Sequence, residues 1–465
     1  MPIPGWVPDS VFYQIFPDRF ANGDPKLDPP NIQPWGSPPT LWGFQGGDFP
    51  GIIQHFDYLK ELGVNAIYLN PIFLASSNHR YNTSDYYKID PRLGDMTAFK
   101  SLLNLTHQHG MHVILDGVFN HCGRGFFAFT DLLENEEHSP YLDWFITKSF
   151  PLDAYSPGAA INYEAWWKIK SLPKFNTKNK TVRNYLFDVG SYWIEQGADG
   201  WRLDVPNEID DDAFWEEFRS KVKKANPDAY LLGEIWTPEP RWANETHFDG
   251  LINYPFREAL INLMLEGETC LPIYNQKIDQ LLNTYSSENI LSMYNPVGTH
   301  DTERILTRLN DDIQKVKLAV LIQFTFPGVP GVFYGDETGL DGGKDPQCRK
   351  AFNWDQSSWN KELLNWTRKL IQLRKQYSLL RRGTYENITL DKSPGILAFT
   401  RRLGEEQLFT VINVTDQDQP VDIPANLLGR QEKRSLKDIL SGKDFVIEGN
   451  SFSLLIPANQ GLLLI

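Results

Sequence analysis

Strand-like runs and helical patterns alternate along most of this chain, and that alternation limits its fold more than any other feature. Eight runs read as strands: 11–16, 66–71, 112–118, the stretch from Gly200, 230–235, 248–254, 290–294 and 331–334. Helical patterns separate them, at 49–62, 96–109, 181–196, 213–225, 257–265 and 314–324. Gly63 and Gly110 supply helix stops. Strands that take turns with helices predict a parallel sheet, and eight of them predict a closed α/β barrel, the (β/α)8 or TIM barrel. An open doubly wound sheet is the competing arrangement. Between 72 and 90 the sequence reads as a polar loop. A long irregular segment at 121–173, rich in aromatics and prolines, is an insertion after the third strand. It divides the barrel into 1–120 and 174–384. From 385 to 465 the pattern changes to short β-rich runs, which predicts a small antiparallel sandwich at the C-terminus.

The fourth strand carries the most telling chemistry. Gly200-Trp-Arg-Leu-Asp-Val-Pro-Asn-Glu208 follows the turn signal Asp199-Gly200 and ends in charge. Side chains repeat every second residue in a strand, so Arg202 and Asp204 share a face. Inside an apolar core that pair is costly unless matched. A structural ion pair satisfies this requirement, and so does a carboxylate held ionised at the C-terminal mouth of a barrel, where such barrels keep their chemistry. Three further acids favour the second reading. Asp116 closes the third strand, Glu234 the fifth, and the seventh leads into Gly298-Thr-His-Asp301. Carboxylates gathered at one mouth repel one another unless chemistry or a bound group justifies them. Two carboxylates in different environments are what glycoside hydrolysis needs. Arg202 would keep Asp204 ionised as a nucleophile. Glu234, near Trp236, would have a raised pKa and act as the acid.

The blocks 116–121, 200–208, 233–236 and His300-Asp301 resemble, in order and spacing, the four motif regions of the α-amylase family of glycoside hydrolases. Leu172-Pro-Lys-Phe-Asn176 and Asn207-Glu208 resemble the neopullulanase, cyclomaltodextrinase and maltogenic amylase group. The resemblance implies Asp204 as nucleophile, Glu234 as acid/base and Asp301 as transition-state stabiliser. It places Arg202, His121 and His300 around the reacting glucose, with His79 and Tyr81 against the same ring and Glu208 and Trp236 as further substrate contacts. Asp345 and Arg349 match residues that grip the non-reducing side, and Asp116 supports Arg202. The implied reaction is retaining hydrolysis of α-1,4 bonds in cyclodextrins, maltooligosaccharides or pullulan. An α-1,6 debranching enzyme and a glucanotransferase share the same catalytic trio. A non-catalytic barrel serving in binding or assembly is the remaining alternative. Such relatives usually lose a catalytic acid and gain a membrane span, whereas here all three acids stand.

The chemistry requires no cofactor, but the resemblance implies a structural calcium ion at Asn22, Asp24, Asp28, Gly46 and Asp48. Oxygen-rich loops of this kind suit that cation, and Asn-Gly-Asp is also ordinary turn chemistry. Leu27 stands where another oxygen ligand is expected. Two other departures stand out. The group usually has a large N-terminal sandwich domain, yet this barrel pattern begins almost at Met1, so both monomer and homodimer remain open. Thr237 follows Trp236 where the group commonly has His. Barrel enzymes without that domain include debranching enzymes.

With 45 Lys and Arg against 59 Asp and Glu, the net charge of −14 argues against nucleic acid or anionic membrane as partner. Three cysteines, Cys122, Cys270 and Cys348, read as free thiols in a reducing compartment. No signal-peptide pattern opens the chain, and its most apolar segment, 318–334, is interrupted by Gln323, Pro327 and Pro330. Together these features predict a cytoplasmic protein whose partner is an α-glucan.

Overall fold

The computed structural model describes residues 3–390, 393–424, 427, 435–446 and 451–465. Among them, eight parallel strands run in chain order: Phe12–Ile15, Ala66–Leu69, His112–Gly117, Gly200–Leu203, Tyr230–Gly233, Gly250–Leu251, Tyr294–Pro296 and Val329–Phe333. Each pairs with its sequence neighbour, and the eighth pairs with the first. A bridge between Ile252 and Tyr294 joins the sixth to the seventh and closes the barrel.

Alternation along the strands separates two cores. Phe12, Ala66, Tyr68, Ile114, Tyr230, Leu232, Tyr294 and Val329 fill the barrel interior as one buried cluster. Residues of opposite phase, such as Tyr13, Ile67, Val113, Trp201 and Leu231, belong to the larger core shared with the helices. The Trp201 indole N–H donates to the Gly190 carbonyl of the helix before it at 3.0 Å. Gly331 makes room inside the barrel, because a Cβ there would fall 2.1 Å from the Tyr294 ring. In the fourth strand the same alternation sends Arg202 inward while Trp201 and Leu203 face the helices.

The segment after the third strand returns to the barrel through bridges from His121 to Lys174 and Phe145 to Phe175. It holds a helix, Phe127–Asn135, and its own buried aromatics, including Phe126, Phe129 and Trp144. At the C-terminus, strands Thr384–Ile388, Ile396–Leu403, Glu406–Asn413 and Gly461–Leu464 form an antiparallel sheet. It faces the pair Gln419–Pro424 and Ser451–Ile456 across a core of Ile396, Phe409, Val411, Ile423 and Phe452. The other face of the sheet, through Leu397, Phe399 and Leu408, joins the barrel's outer core.

The structure corrects several details. The strand expected at 290–294 begins later, because Ser286 caps a short helix, Ser287–Leu291, by accepting the Asn289 N–H at 3.1 Å. Ile290 is therefore a buried helix residue. The sixth strand is shorter than 248–254. The helix read over 49–62 is two helices, broken at His55, whose ring stacks on Trp354 with centroids 3.5 Å apart. The polar loop at 72–90 contains an antiparallel pair, Phe73–Ala75 with Thr83–Ile89. That pair is anchored by the buried Tyr86, whose hydroxyl lies 2.8 Å from the carbonyls of Val118 and His121.

Candidate active site

The acids assemble at the barrel mouth because the ladder carries them there. Leu203 is in register with Gly233, so the next residues, Asp204 and Glu234, leave adjacent strands at the same height. The Asp204 N–H donates to Gly117 O at 3.0 Å and the Glu234 N–H to Leu203 O at 3.1 Å, extending the ladder one residue further. One fully buried guanidinium then collects three carboxylates. Arg202 Nη1 lies 2.7 Å from Asp116 Oδ1 and 2.8 Å from Asp204 Oδ1, and Nη2 lies 2.6 Å from Glu234 Oε1. Asp204 and Glu234 thus sit on neighbouring nitrogens of one planar group.

Asp116 is fixed from its other side. The hydroxyls of Tyr68 and Tyr81 each donate to its Oδ2 at 2.7 Å. Tyr81 Oη is 2.5 Å from His300 Nε2, and the two rings are nearly parallel. Gln14 Nε2 donates to His300 Nδ1 at 2.9 Å and to Asn70 Oδ1 at 3.1 Å. A donor at Nδ1 puts the His300 proton on Nε2, where Tyr81 Oη and Asp301 Oδ2, 3.1 Å away, can accept it. Burial first, then nearby cations, lowers the His300 pKa to about 3, so the ring is neutral. Arg349 Nη2 holds Asp301 Oδ1 at 3.2 Å, its Nη1 holds Asp345 at 3.1 Å, and its Nε donates to the His300 carbonyl at 2.8 Å.

Electrostatics separates the two carboxyls on Arg202. With all three partners ionised, the guanidinium cluster would carry two net negative charges in a dry site, which favours one retained proton. Burial raises Asp204 to about 7, with Arg202 opposing and Asp116 and Asp301 adding to the rise. Burial raises Glu234 further, to about 8, again against Arg202 and reinforced by Asp204 and Asp301. Both members of this coupled pair are raised, so the cluster retains a proton that the two carboxyls share. Burial also raises Asp301, but His300, Arg349 and Arg202 outweigh it and hold the carboxyl below its usual value. The arrangement offers an ionised carboxylate beside a protonated one, the pair that acid-assisted displacement at an acetal carbon uses.

Backbone strain marks the same place. Val205, directly after Asp204, has φ of +37°, a left-handed conformation costly for a β-branched residue. Its N–H donates to Glu234 Oε2 at 3.1 Å, so the strained turn positions the second carboxyl.

The remaining residues singled out in the sequence fall in different places. His79 Nδ1 accepts the Tyr81 N–H at 3.1 Å, and its ring lies 6.0 Å from that of Tyr81. His121 stacks on Trp166 at 5.3 Å, and burial lowers its pKa to about 3. Glu208 does not join the carboxylate cluster. It pairs with Lys174 at 3.0 Å and so ties the 172–176 motif to the end of the fourth strand. Trp236 is 48% exposed and stacks flat on Tyr254, centroids 3.6 Å apart. Gln14, Tyr68, Asn70 and Tyr254 were not anticipated. The first three carried a usable signal: each is a polar or phenolic residue on the inward phase of a barrel strand or at its C-terminal end.

In the N-terminal loop, Asn22 Nδ2 donates to Asp28 Oδ1 at 2.9 Å, and a Cβ on Gly46 would lie 2.4 Å from that oxygen. Asp48 caps the helix Phe49–Gln54, and its oxygens accept the N–H groups of Gly23, Asp24 and Gly51 at 2.6–2.9 Å. Asp24 Oδ1 accepts the Lys26 N–H at 3.1 Å. Asn22 Oδ1 is buried and has no hydrogen-bond partner among the described residues. Among those residues, no three His, Cys, Asp or Glu side chains converge as a metal centre. The oxygens of Asn22 and Asp28 at this loop are an amide and a carboxylate, the chemistry of a hard cation and not of a transition metal.

Comparison with known proteins agrees with this geometry. The profile described as "Alpha amylase, catalytic domain" matches residues 14–383, and "Maltogenic Amylase, C-terminal domain" matches residues 386–460. A cyclomaltodextrinase of Geobacillus thermopakistaniensis is 42% identical over 98% of this chain and 76% of its own length. The solved cyclic alpha-maltosyl-(1→6)-maltose hydrolase of Arthrobacter globiformis, in complex with that sugar, is 38% identical. It superposes with a TM-score of 0.88 over 98% of this chain and 100% of its own. The debranching enzyme of Nostoc punctiforme is 39% identical, with a TM-score of 0.88 over 100% of this chain and 99% of its own. With an eight-stranded barrel, paired acids on one arginine and family profiles along nearly its whole length, the chain belongs to the α-amylase family of glycoside hydrolases.

Proposed function

We propose that the protein hydrolyses α-1,4 bonds of cyclodextrins, maltooligosaccharides or pullulan with retention. Asp204 is the nucleophile and Glu234 the acid, then the base. Asp301 stabilises the transition state, and His79, Tyr81, His121, Arg202 and His300 surround the reacting glucose. Asp345 and Arg349 act on the non-reducing side, and Glu208 and Trp236 on the side that leaves. The observation that carries this reading is the single guanidinium of Arg202 ion-paired with Asp204 and Glu234 through different nitrogens, with burial raising both carboxyls so that the pair retains a proton. In the first step Glu234 protonates the glycosidic oxygen while Asp204 Oδ attacks the anomeric carbon. The Asp204 ester that results is then hydrolysed by a water that Glu234 deprotonates.

A second reading, α-1,6 cleavage, has a specific support. A solved relative that this chain matches from end to end is a debranching enzyme. Incubation with β-cyclodextrin, pullulan, starch and maltotriose, followed by separation of the products, decides between them. Panose or maltose from pullulan with opened cyclodextrin supports α-1,4 cleavage, and maltotriose alone from pullulan with intact cyclodextrin overturns it.

A calcium ion in the N-terminal loop would be held by Asn22, Asp24, Asp28 and the main chain at Gly46, with Asp48 fixing the loop. It would act on stability alone. The buried Asn22 Oδ1 without a partner supports this. Returning calcium to the chelated protein at a hundredfold excess over Kd is expected to add about 2.7 kcal/mol, a Tm rise of a few degrees for a chain this size. An unchanged Tm leaves the loop as turn chemistry.

We also place the protein in a reducing, cytoplasmic compartment. Cys122, Cys270 and Cys348 are buried free thiols, and no helix among the described residues is long and apolar enough to cross a membrane. Three titratable thiols are expected in the unfolded, unreduced protein isolated from its native source; fewer would overturn the assignment.

A further inference from the structure

Asp116, Asn70, Gln14 and His300 form a line of buried polar side chains in which each member has one satisfactory orientation. Asp116 Oδ2 accepts the hydroxyl protons of Tyr68 and Tyr81. Asn70 must therefore turn its Nδ2 toward that oxygen, at 3.3 Å, and toward Tyr81 Oη, at 3.0 Å. Its Oδ1 then faces Gln14, which can answer only with Nε2, at 3.1 Å. The same Nε2 reaches His300 Nδ1 at 2.9 Å, so Nδ1 must carry a lone pair. The far end of the line agrees. Tyr81 has given its proton to Asp116 and can only accept from His300 Nε2.

This arrangement costs stability. Gln14 Oε1 is buried and has no hydrogen-bond partner among the described residues, a loss that packing alone does not call for. What the amide gains is control of one ring. A donor facing Nδ1 opposes protonation there, so His300 stays neutral and presents Nε2–H to Asp301 Oδ2 at 3.1 Å. The charges around the ring pull both ways: Asp301 favours the cation, and Arg349, Arg202 and His79 oppose it. A cationic ring would stand beside a transition state that itself gains positive charge.

We propose that Gln14 and Asn70 are positioning residues that hold His300 as a neutral Nε2–H donor, in an orientation inherited from Asp116. The kinetic consequence rests on the hydrolase reading above, and the protonation state is read without it. Nitrogen-15 NMR of histidine-labelled protein shows which ring nitrogen carries the proton, with the His300 signal identified by its loss in His300→Asn. In the wild type Nδ1 is expected to stay unprotonated through the acid limb of activity. Gln14→Glu offers an acceptor at Nδ1, so His300 should take up a second proton near neutral pH. Turnover of maltoheptaose should then fall about 10- to 100-fold at neutral pH, the scale of one charge-assisted hydrogen bond. It should recover relative to the wild type as pH rises and that proton leaves. Asn70→Leu removes the acceptor that fixes the Gln14 amide, so Nδ1 should protonate at a higher pH than in the wild type although Gln14 is untouched. Loss of packing alone would lower turnover at every pH and leave the titration of the ring unchanged. A wild-type proton on Nδ1, or folded variants whose His300 titrates as in the wild type, overturns the proposal. The expected protonation states in a wild type that cleaves no α-glucan overturn the hydrolase reading instead.

Discussion

Asp204→Asn is expected to reduce turnover of maltooligosaccharides by about 10⁴- to 10⁶-fold, the scale seen when a covalent nucleophile is lost. The fold should survive. An asparagine Oδ1 still accepts from Arg202 Nη1, and the buried guanidinium keeps Asp116 at 2.7 Å as its counter-ion. That matters because an unpaired buried charge costs about 3–5 kcal/mol, whereas this change leaves the charge paired. The measurement is kcat on maltoheptaose beside the Tm of the same sample. A folded variant with near-normal turnover would show that Asp204 is not the attacking group.

Glu234→Gln is expected to depend on the leaving group. Natural glucosides need a proton on the departing oxygen, so turnover should fall by about 10²- to 10⁴-fold. An activated aryl α-glycoside leaves with little protonation, so its first step should be affected far less. The pH profile carries a second signature. The nucleophile must be ionised, so activity falls as pH drops through the Asp204 titration near 7. The acid must be protonated, so activity falls as pH rises through the Glu234 titration near 8. The variant should lose the alkaline limb and keep the acid one. Equal damage to both substrate classes, or an unchanged alkaline limb, argues against Glu234 as the acid.

The barrel and its acid cluster were legible in the sequence because both follow from short-range regularities. Alternation alone put Arg202 and Asp204 on one face. The motif blocks fixed which strand ends carried acids, and the ladder between the fourth and fifth strands then made Asp204 and Glu234 neighbours. Tertiary context decided what stayed hidden. Ile290 and Leu291 look like a strand, but the Ser286 cap turns them into a helix. Polar residues at 76–85 obscured a hairpin whose anchor, Tyr86, finds its partners on the third strand's exit. Glu208 pairs with Lys174, 34 residues earlier, a contact that the sequence does not announce. The cause of the Glu234 shift also needed coordinates. Burial raises its pKa first, and Asp204 and Asp301 add to the rise. Gln14, which places the His300 proton, is 286 residues from its partner. No local pattern signals a contact across that distance.

The account stands most directly on the anomeric configuration of the first product. Attack by Asp204 inverts the anomeric carbon and attack by water inverts it again, so the starting configuration returns. Retention calls for the two carboxyls to stand about 5–5.5 Å apart, against about 6.5–9.5 Å in an inverting enzyme. Asp204 and Glu234 follow adjacent, in-register strands and contact one guanidinium, and double displacement requires the closer spacing of the two. Proton NMR during the first minutes of maltoheptaose hydrolysis, before mutarotation, should show the α-anomer accumulating first. Initial release of the β-anomer would contradict double displacement, and with it the roles given to Asp204 and Glu234.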